Sequence, residues 1–143
     1  MADPTIPLIE PSAPARVVDV EDADFWDALD EGRFLLAKCG TCGMYYSRRQ
    51  ACLQCGADAS ALSWVASPGL GKVRTFLVFD KVYHPYFVGR VPYNVAVVTL
   101  DEGAEFTTNV VDCPIGSLHI GMPVRMVVRD RGGQNIPQAS AIL

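Results

Sequence analysis

Cys39-Gly-Thr-Cys42 and Cys52-Leu-Gln-Cys55 are the two stretches of this chain that decide its fold. In a Cys-x-x-Cys segment both thiolates can reach one metal ion, and two such segments supply the four soft ligands of a structural Zn²⁺ site. A glycine follows each pair, and glycine accepts the positive φ that a backbone turning past a metal requires. We therefore predict that these four cysteines bind one zinc ion.

Disulfide bonds and a redox-active cysteine pair are the alternatives to a metal site. Disulfides need an oxidising compartment, yet residues 1–20 contain no basic segment followed by an apolar core of signal-peptide type. A redox Cys-x-x-Cys normally occurs once, beside a βαβ unit, whereas this chain has two and no such pattern. We expect a cytoplasmic protein with reduced thiols. Because four protein ligands leave no position for water, its metal should be structural and not hydrolytic.

The bulk composition is that of a globular protein. The chain has 143 residues, of which 50% are hydrophobic and 20% charged. Its longest apolar runs, such as residues 94–100, have the length of a strand and fall short of the roughly 20 residues that a membrane span needs. The net charge of −4 weighs against a nucleic-acid partner, because phosphate binding depends on clustered Lys and Arg.

The first part of the chain, residues 1–19, is predicted to be an extended arm. Prolines recur in it at positions 4, 7, 11 and 14. Proline removes backbone donors and favours polyproline-like chain over helix or sheet. The arm is either disordered or lies along the surface of a partner.

The second part, residues 20–61, is predicted to form a short helix and a zinc ribbon. Acidic residues near its start and Gly32 at its end bound a helix over residues 20–31. Residues 34–38 lead into the first cysteine pair and residues 44–47 leave it, so these segments should be the two short strands of the ribbon. A unit this small needs its metal to hold its shape.

The third part, residues 62–143, is predicted to form an OB-fold barrel. It consists of β segments separated by turns, without a helical period. The predicted strands are residues 62–66, 72–79, 93–100, 104–111 and 124–129. About five strands in this length favour a small closed or nearly closed barrel. The predicted fold is thus mainly β, with an N-terminal short helix and zinc ribbon followed by a C-terminal OB-fold β-barrel.

The order and spacing of several short motifs resemble a family of acyl-CoA-associated proteins, long filed as a domain of unknown function, in which a rubredoxin-like zinc ribbon precedes an OB fold. The resemblance covers roughly residues 24–130. Besides the cysteine pairs, it rests on Phe25-Trp26, Gly69-Leu70-Gly71-Lys72-Val73, Pro92-Tyr93, Leu100-Asp101-Glu102-Gly103, Asn109-Val110-Val111 and Ile120-Gly121-Met122-Pro123-Val124. One departure is residues 47–51, where family members usually carry prolines and this chain has none.

This resemblance implies an accessory role. Members of the family look like obligate partners of thiolase-fold enzymes, and some serve related acyl-CoA aldolases or acyltransferases. The chain would then complete the partner's acyl-CoA site within a hetero-oligomer, with a CoA thioester as the ligand of the complex. The partner would bring the nucleophilic cysteine and its acid/base residues, so we expect this chain not to be catalytic alone. Such proteins often belong to the degradation of aromatic compounds or steroid side chains.

The segment 81–92 joins two predicted strands at the place where OB folds commonly bind ligands. Its aromatic and basic side chains include Tyr83, His84, Tyr86, Phe87 and Arg90. Aromatic residues and arginine are enriched where interfaces lose water. We expect these side chains to contact a partner or to line a substrate channel; packing over the mouth of the barrel is the alternative.

Two other functions stay open. A stand-alone acyl-CoA-binding protein would use Lys38, Arg48 and Arg49 for the CoA phosphates. A single-stranded nucleic-acid module would use the aromatic platforms of an OB barrel in a basic groove, which suits the acidic balance of this chain less well.

No catalytic residue is predicted within the chain. Cys113 lies outside the two pairs, and His84 and His119 are the histidines that could activate it. A thiolate nucleophile needs a base within hydrogen-bond reach and usually an oxyanion hole, and the sequence offers no such constellation. We expect Cys113 to be a small buried apolar residue and His119 to be structural.

Overall fold

A computed structural model describes residues 12–142 of the chain. Its α-helix, α1, is Ala23–Asp30, and it follows directly on a 3₁₀ turn at Val20–Asp22. The strands in this range are β1 (Leu35–Cys39), β2 (Tyr45–Tyr46), β3 (Leu62–Ala66), β4 (Leu70–Phe79), β5 (Tyr93–Leu100), β6 (Glu105–Thr108), β7 (Val110–Val111), β8 (Pro123–Arg131) and β9 (Gln134–Ala141). The predicted mainly β fold is confirmed. No helix among the described residues is long and apolar enough to cross a membrane.

The prediction of an extended arm lies partly outside the described residues. Residues 12–19 have no regular secondary structure, and they run beside the hairpin that joins β8 to β9. There the guanidinium of Arg131 donates to the carbonyl of Pro14 over 3.4 Å, and the backbone N–H of Arg16 donates to Gln134 over 2.9 Å. This part of the arm therefore lies on the chain's own barrel.

A three-stranded antiparallel sheet forms the ribbon, with β1 in the centre, β2 on one side and β3 on the other. Residues 62–66 were predicted in the barrel region, whereas the structure pairs β3 with β1 along its whole length, from Leu35 opposite Ala66 to Cys39 opposite Leu62. A strand that follows both cysteine pairs thus completes the ribbon sheet.

The barrel is a six-stranded sheet in the order β6-β5-β4-β8-β9-β7. The two strands at its ends, β6 and β7, are consecutive in the chain and separated only by Asn109. The predicted single strand over residues 104–111 is therefore bent at Asn109. Because one half of it pairs with β5 and the other half pairs in parallel with β9, the bend brings the two edges of the sheet together.

Asn94 holds this closure in place. Its amide Nδ2 donates to the carbonyl of Val110 over 2.9 Å, and the Val110 N–H donates to Asn94 Oδ1 over 2.8 Å. The side chain of Asn109 donates in turn to the carbonyl of Asn94 over 2.5 Å. Asn94 is only 8% exposed. Its carboxamide makes the hydrogen bonds that a neighbouring strand would otherwise make to the N–H and C=O of Val110, which would be buried without partners.

Strand β9 is absent from the sequence prediction because Pro137 and several polar residues interrupt its apolar pattern, and proline argues against a central strand. In the structure β9 pairs with β8 from Ala141 opposite Val124 to Gln134 opposite Arg131. The carbonyl of Pro137 accepts from Thr108 Oγ1 over 2.8 Å, which shows that this residue turns its backbone toward β6. The missing N–H therefore lies on the side away from β8, and the β8–β9 ladder loses no hydrogen bond.

One hydrophobic core joins the ribbon to the barrel. Phe25 and Leu29 of α1 and Leu36 of β1 pack in the same cluster as Val98 of β5 and Val124 of β8. Leu36, Val98 and Val124 are completely buried. The relative position of the metal site and the barrel is therefore set by shared apolar packing.

In the Gly-Leu-Gly motif at the start of β4, close packing against β5 requires a glycine at position 71. A Cβ at this position would lie 2.5 Å from the carbonyl oxygen of Thr99 and 2.9 Å from the Cα of Leu100. Both atoms belong to the backbone of β5 and cannot rotate away. Only glycine allows β4 and β5 to approach this closely.

Replacing Asn94 with alanine should lower the free energy of unfolding by about 2–3 kcal/mol, because it leaves the buried N–H and C=O of Val110 without partners. Urea denaturation followed by circular dichroism measures the change. Thr75→Ala, at an exposed position of β4, is the matched control and should stay within about 0.5 kcal/mol of the parent. Equal stability of the two variants would show that Asn94 does not hold the barrel closed.

Candidate metal centre and partner surface

The two cysteine pairs adopt the same backbone turn. In the first, the N–H of Gly43 donates to the carbonyl of Cys39 over 2.9 Å, and in the second the N–H of Gly56 donates to the carbonyl of Cys52 over 2.9 Å. The two glycines have φ values of 81° and 77°, which other residues rarely adopt. These turns aim both thiols of each pair at one point.

The four sulfur atoms form a cluster of the size that zinc requires. Their ligand atoms all lie within 4.8 Å of one another. Cys39 Sγ is 3.7 Å from Cys55 Sγ, and Cys42 Sγ is 3.4 Å from Cys52 Sγ. Tetrahedral zinc with Zn–S bonds of about 2.3 Å places its sulfur ligands about 3.8 Å apart. The four thiols fit a closed zinc site, in which the metal stabilises the ribbon and has no position left for a substrate.

Hydrogen bonds favour the thiolate form of one cysteine in each pair. The backbone N–H of Cys42, assisted by that of Thr41, lowers the pKa of Cys39. The hydroxyl of Tyr46 makes the largest contribution to the pKa of Cys52, which falls to about 6. Such thiolates are ready to bind a cation.

The pKa of the second thiol of each pair is raised instead of lowered. The backbone N–H of Met44 favours the thiolate of Cys42, but burial and proton sharing with the other sulfurs outweigh it and raise the pKa of Cys42 to about 12. The pKa of Cys55 is raised as well, against the N–H of Ala57, by burial and by the neighbouring thiols. Four thiolates this close repel one another, and a divalent cation removes that repulsion.

Tyr46 supports the metal site from the second strand of the ribbon. Its hydroxyl accepts from the N–H of Leu53 over 2.9 Å and lies 3.2 Å from Cys52 Sγ, to which it therefore donates. This role of Tyr46 was not predicted from the sequence. The signal for it was an aromatic residue with a hydroxyl placed on a strand that leaves the first cysteine pair.

The residues predicted on segment 81–92 form one aromatic cluster at the far end of the β4–β5 hairpin. Phe87 stacks on Tyr93 with ring centroids 4.3 Å apart, and Tyr93 stacks on Phe79 at 5.3 Å. Tyr86 contacts Phe87 edge to face at 5.2 Å. Phe79 and Tyr93 were not predicted as site residues, although their positions at the two ends of the loop were a usable signal.

The polar residues of this segment are arranged around the same rings. The guanidinium of Arg90 lies 4.2 Å from the ring centroid of Tyr86. The N–H of Tyr86 donates to His84 Nδ1 over 3.1 Å, so His84 caps the 3₁₀ turn Pro85–Phe87. Tyr83 is 68% exposed, with the ammonium of Lys81 5.5 Å from its ring centroid. All five predicted residues therefore make ring contacts in this cluster, since Tyr83 meets Phe79 at 5.9 Å and His84 meets Phe87 at 6.4 Å.

Large apolar side chains at the end of β4 and in the following loop are exposed as well. The exposed ones are Leu77, Val78, Val82, Tyr83 and Val88. Single exposed apolar residues are normal, but a group on one hairpin and its loop is typical of a protein interface. We name the aromatic cluster and these five side chains the hairpin patch.

The predicted CoA-phosphate residues are each engaged within the chain. Arg48 donates to Asp19 over 3.1 Å and to Asp22 over 3.0 Å. Arg49 donates to the carbonyl of Ala59 over 3.2 Å, and the ammonium of Lys38 lies 5.4 Å from the ring centroid of Tyr45. A phosphate would have to compete with these contacts.

Cys113 and His119 lie apart from both sites. Cys113 is half-buried at the margin of the hydrophobic core. His119 is exposed, and its Nδ1 is 2.9 Å from the carbonyl of Ser117. This contact is local to the turn that precedes β8.

Family models match most of the described chain. The model of the rubredoxin-like zinc ribbon domain of ChsH2 matches residues 26–61. The model of the C-terminal OB-fold domain of ChsH2 matches residues 64–129. The boundary between the two falls at β3, the strand that completes the ribbon sheet.

Full-length relatives include two archaeal proteins described as DUF35 domain-containing scaffold proteins. The protein of Methanocaldococcus jannaschii is 33% identical over 106 residues, which are 73% of this chain and 74% of that protein. The protein of Methanothermobacter thermautotrophicus is 34% identical over 94 residues, or 65% of this chain and 69% of that protein. A probable enoyl-CoA hydratase alpha subunit of Thermomonospora curvata is 30% identical over 114 residues; these are 78% of this chain but only 34% of that longer protein.

Two solved structures share the fold. The structure described as an Ltp2-ChsH2(DUF35) aldolase superposes with a TM-score of 0.77 and 25% identity, covering 90% of this chain and 100% of that one. A DUF35 family protein of unknown function from Sulfolobus solfataricus superposes with a TM-score of 0.59 and 13% identity, covering 86% of each chain. The second likeness concerns the fold alone.

Replacing Cys42 with serine should abolish stoichiometric zinc binding, because an alcohol is a poor replacement for a thiolate ligand. Metal analysis of the purified protein should find one zinc per parent chain and much less in the variant. Cys113→Ser is the matched control and should keep the metal. A folded parent protein without zinc would contradict the assignment.

Replacing Tyr46 with phenylalanine should weaken zinc binding by about tenfold or more, since it removes the hydroxyl that stabilises the thiolate of Cys52. Competition with a chromogenic chelator measures the affinity. Tyr45→Phe, on the same strand, keeps the parent affinity if the effect belongs to the hydroxyl of Tyr46. Unchanged zinc affinity in Tyr46→Phe would remove this residue from the site.

Proposed function

The chain belongs to the DUF35 family of proteins with a ChsH2-type zinc ribbon and OB fold, and from this premise we propose that it is a non-catalytic accessory subunit of an enzyme complex that acts on acyl-CoA. The partner would be a thiolase-fold enzyme, or a related acyl-CoA aldolase or acyltransferase, that cleaves or forms a C–C bond. Together the two chains would complete one acyl-CoA site.

The likeness to the Ltp2-ChsH2(DUF35) aldolase carries this proposal. That description joins a DUF35 chain with an aldolase, and this chain superposes on the whole length of the matched chain. The word scaffold in the description of the archaeal relatives supports the same kind of role. The name of the hydratase relative supports a CoA thioester as the substrate class.

The chemistry of the described residues suits a division of labour between two proteins. Four thiols saturate the coordination of zinc and leave no site at which the metal could polarise a carbonyl or activate water. Neither Cys113 nor either histidine has the neighbours of an activated nucleophile. The partner therefore supplies the nucleophile and the acid/base groups, and this chain supplies shape and binding surface.

The hairpin patch is the surface that we assign to the partner. Its rings already contact one another, so little side-chain freedom is lost when it is covered. Its exposed apolar area gains from leaving water, and Arg90 can add a hydrogen bond at the rim. The complex would serve the degradation of aromatic compounds or steroid side chains.

Co-expression with a thiolase-fold or aldolase subunit tests the accessory role. We expect the two proteins to co-purify and the complex to cleave or form the C–C bond of a CoA thioester faster than the partner alone. The chain alone should be inactive. Calorimetric binding of CoA by the isolated chain would favour the stand-alone acyl-CoA-binding function instead, and absence of any complex would contradict the accessory role.

The double variant Tyr86→Ala and Phe87→Ala should weaken the complex by at least about tenfold, because aromatic residues at interface centres dominate binding energy. Surface plasmon resonance against the partner measures the affinity. Ile120→Ala removes an exposed apolar side chain elsewhere on the barrel, 69% exposed, and is the matched control. If both variants bind like the parent, the hairpin patch does not contact the partner.

A further inference from the structure

A second surface feature lies where α1, the ribbon and the barrel meet. It is a cleft of about 520 Å³, within the range of specific binding sites. Trp26 of α1, Trp64 of the ribbon and Phe106 of the barrel contribute aromatic walls. Trp26 and Trp64 are the two tryptophans of the chain. Along its floor the cleft follows the seam between β6 and β9, since residues from both strands line it.

The seam is closed at one end and open at the other. At the closed end Thr108 Oγ1 donates to the carbonyl of Pro137 over 2.8 Å, and the N–H of Ala139 donates to the carbonyl of Asn109 over 2.9 Å. Toward the start of β6 no such contact with β9 follows among residues 12–142. The barrel is therefore incomplete along the first residues of β6.

The ladder between β5 and β6 fixes which backbone groups face this opening. The N–H of Leu100 donates to the carbonyl of Ala104 over 2.8 Å, and in an antiparallel ladder the residues that bond to the neighbour alternate. Phe106 and Thr108 therefore bond to β5. Glu105 and Thr107 direct their N–H and C=O groups to the opposite side, into the cleft.

The other wall of the opening offers few groups for pairing. Pro137 has no N–H. The carbonyl of Asn135 accepts from the guanidinium of Arg16 over 3.0 Å. The β6 side remains available as an edge for pairing.

Three residues that line the cleft also carry buried polar atoms without hydrogen-bond partners among the described residues. They are Asp22 Oδ1, an acceptor, and Trp64 Nε1 and Arg131 Nε, both donors. Asp22 is 8% exposed, and its other carboxylate oxygen accepts from Arg48 over 3.0 Å. Buried polar atoms are normally hydrogen-bonded, so these three atoms are exceptions, but their accessible surface is too small for an occupant of the cleft to bond to them directly.

We propose that an extended segment of the partner enzyme adds as a strand to the open edge of β6 and fills this cleft. A polypeptide backbone offers N–H and C=O groups in alternation, which matches the edge of β6. Apolar side chains at alternate positions of the segment pack on Trp26 and Phe106. This contact rests on the proposed function for the existence of the partner, and it is a second interface in addition to the hairpin patch.

Amide hydrogen exchange of the parent protein tests this contact without any substitution. In the isolated chain the amides of Glu105 and Thr107 should exchange fast, because they point into the cleft, while that of Phe106 should be protected by β5. In the complex, exchange at Glu105 and Thr107 should slow by at least about tenfold, since each amide then bonds to the added strand.

Thr107→Pro and Thr107→Val form a matched pair. Proline removes the N–H on the cleft side and leaves the bonds of β6 to β5 intact, whereas valine keeps the N–H and the branched shape. We expect Thr107→Pro to weaken the complex by about tenfold and Thr107→Val to bind like the parent. Zinc content and circular dichroism establish that each variant is folded; if the proline variant does not fold, hydrogen exchange on the parent decides.

The outcomes separate this contact from the accessory role. A complex that protects residues 81–92 but leaves Glu105 and Thr107 in fast exchange overturns strand addition and leaves the accessory role standing. Failure to form any complex overturns both. Protection of these amides that rises with the concentration of the isolated chain assigns the cleft to a second copy of the chain and likewise overturns the proposal.

Discussion

The convergence of four cysteine thiols on one metal is the constraint on which the rest of the structure depends. The ribbon sheet has one two-residue strand and two short ones, too little to hold a shape alone. Zinc contributes on the order of 10 kcal/mol or more to folding in modules of this kind. Because Cys39 ends β1, and β1 carries Leu36 into the core shared with the barrel, the metal also fixes how the ribbon sits on the barrel.

The barrel is closed by polar side chains, and this gives the molecule its surface features. Asn94 and Asn109 hold the bend between β6 and β7, so that β7 pairs with β9 and closes the sheet there. Beyond it the seam opens into the cleft beside α1. The β4–β5 hairpin carries its aromatic cluster at the end remote from the Leu100–Ala104 turn, so the cleft and the hairpin patch are separate surfaces.

The cysteine spacing and the β segments between turns were sufficient to predict the fold class, the convergence of the four thiols and most strands, because these features are local in sequence. The membership of β3 in the ribbon sheet was not predictable in this way, since pairing with β1 is decided by contacts across the metal site. Strand β9 was not predicted because proline argues against a central strand. In the structure the backbone of Pro137 faces Thr108, so the missing N–H costs the ladder with β8 no hydrogen bond. The engagement of Arg48 by Asp19 and Asp22 depends on the path of the chain before α1, which composition does not reveal.

The central claim is that a zinc-stabilised ribbon presents a β-barrel to a separate enzyme that holds the reactive groups. The most direct measurement is the rate of acyl-CoA C–C bond cleavage by the purified partner as zinc-loaded and zinc-stripped chain are titrated into it. The account predicts that the rate rises and saturates with the zinc-loaded chain and stays at the level of the partner alone with the stripped chain. Turnover of the thioester by the isolated chain, free of the partner, would contradict it.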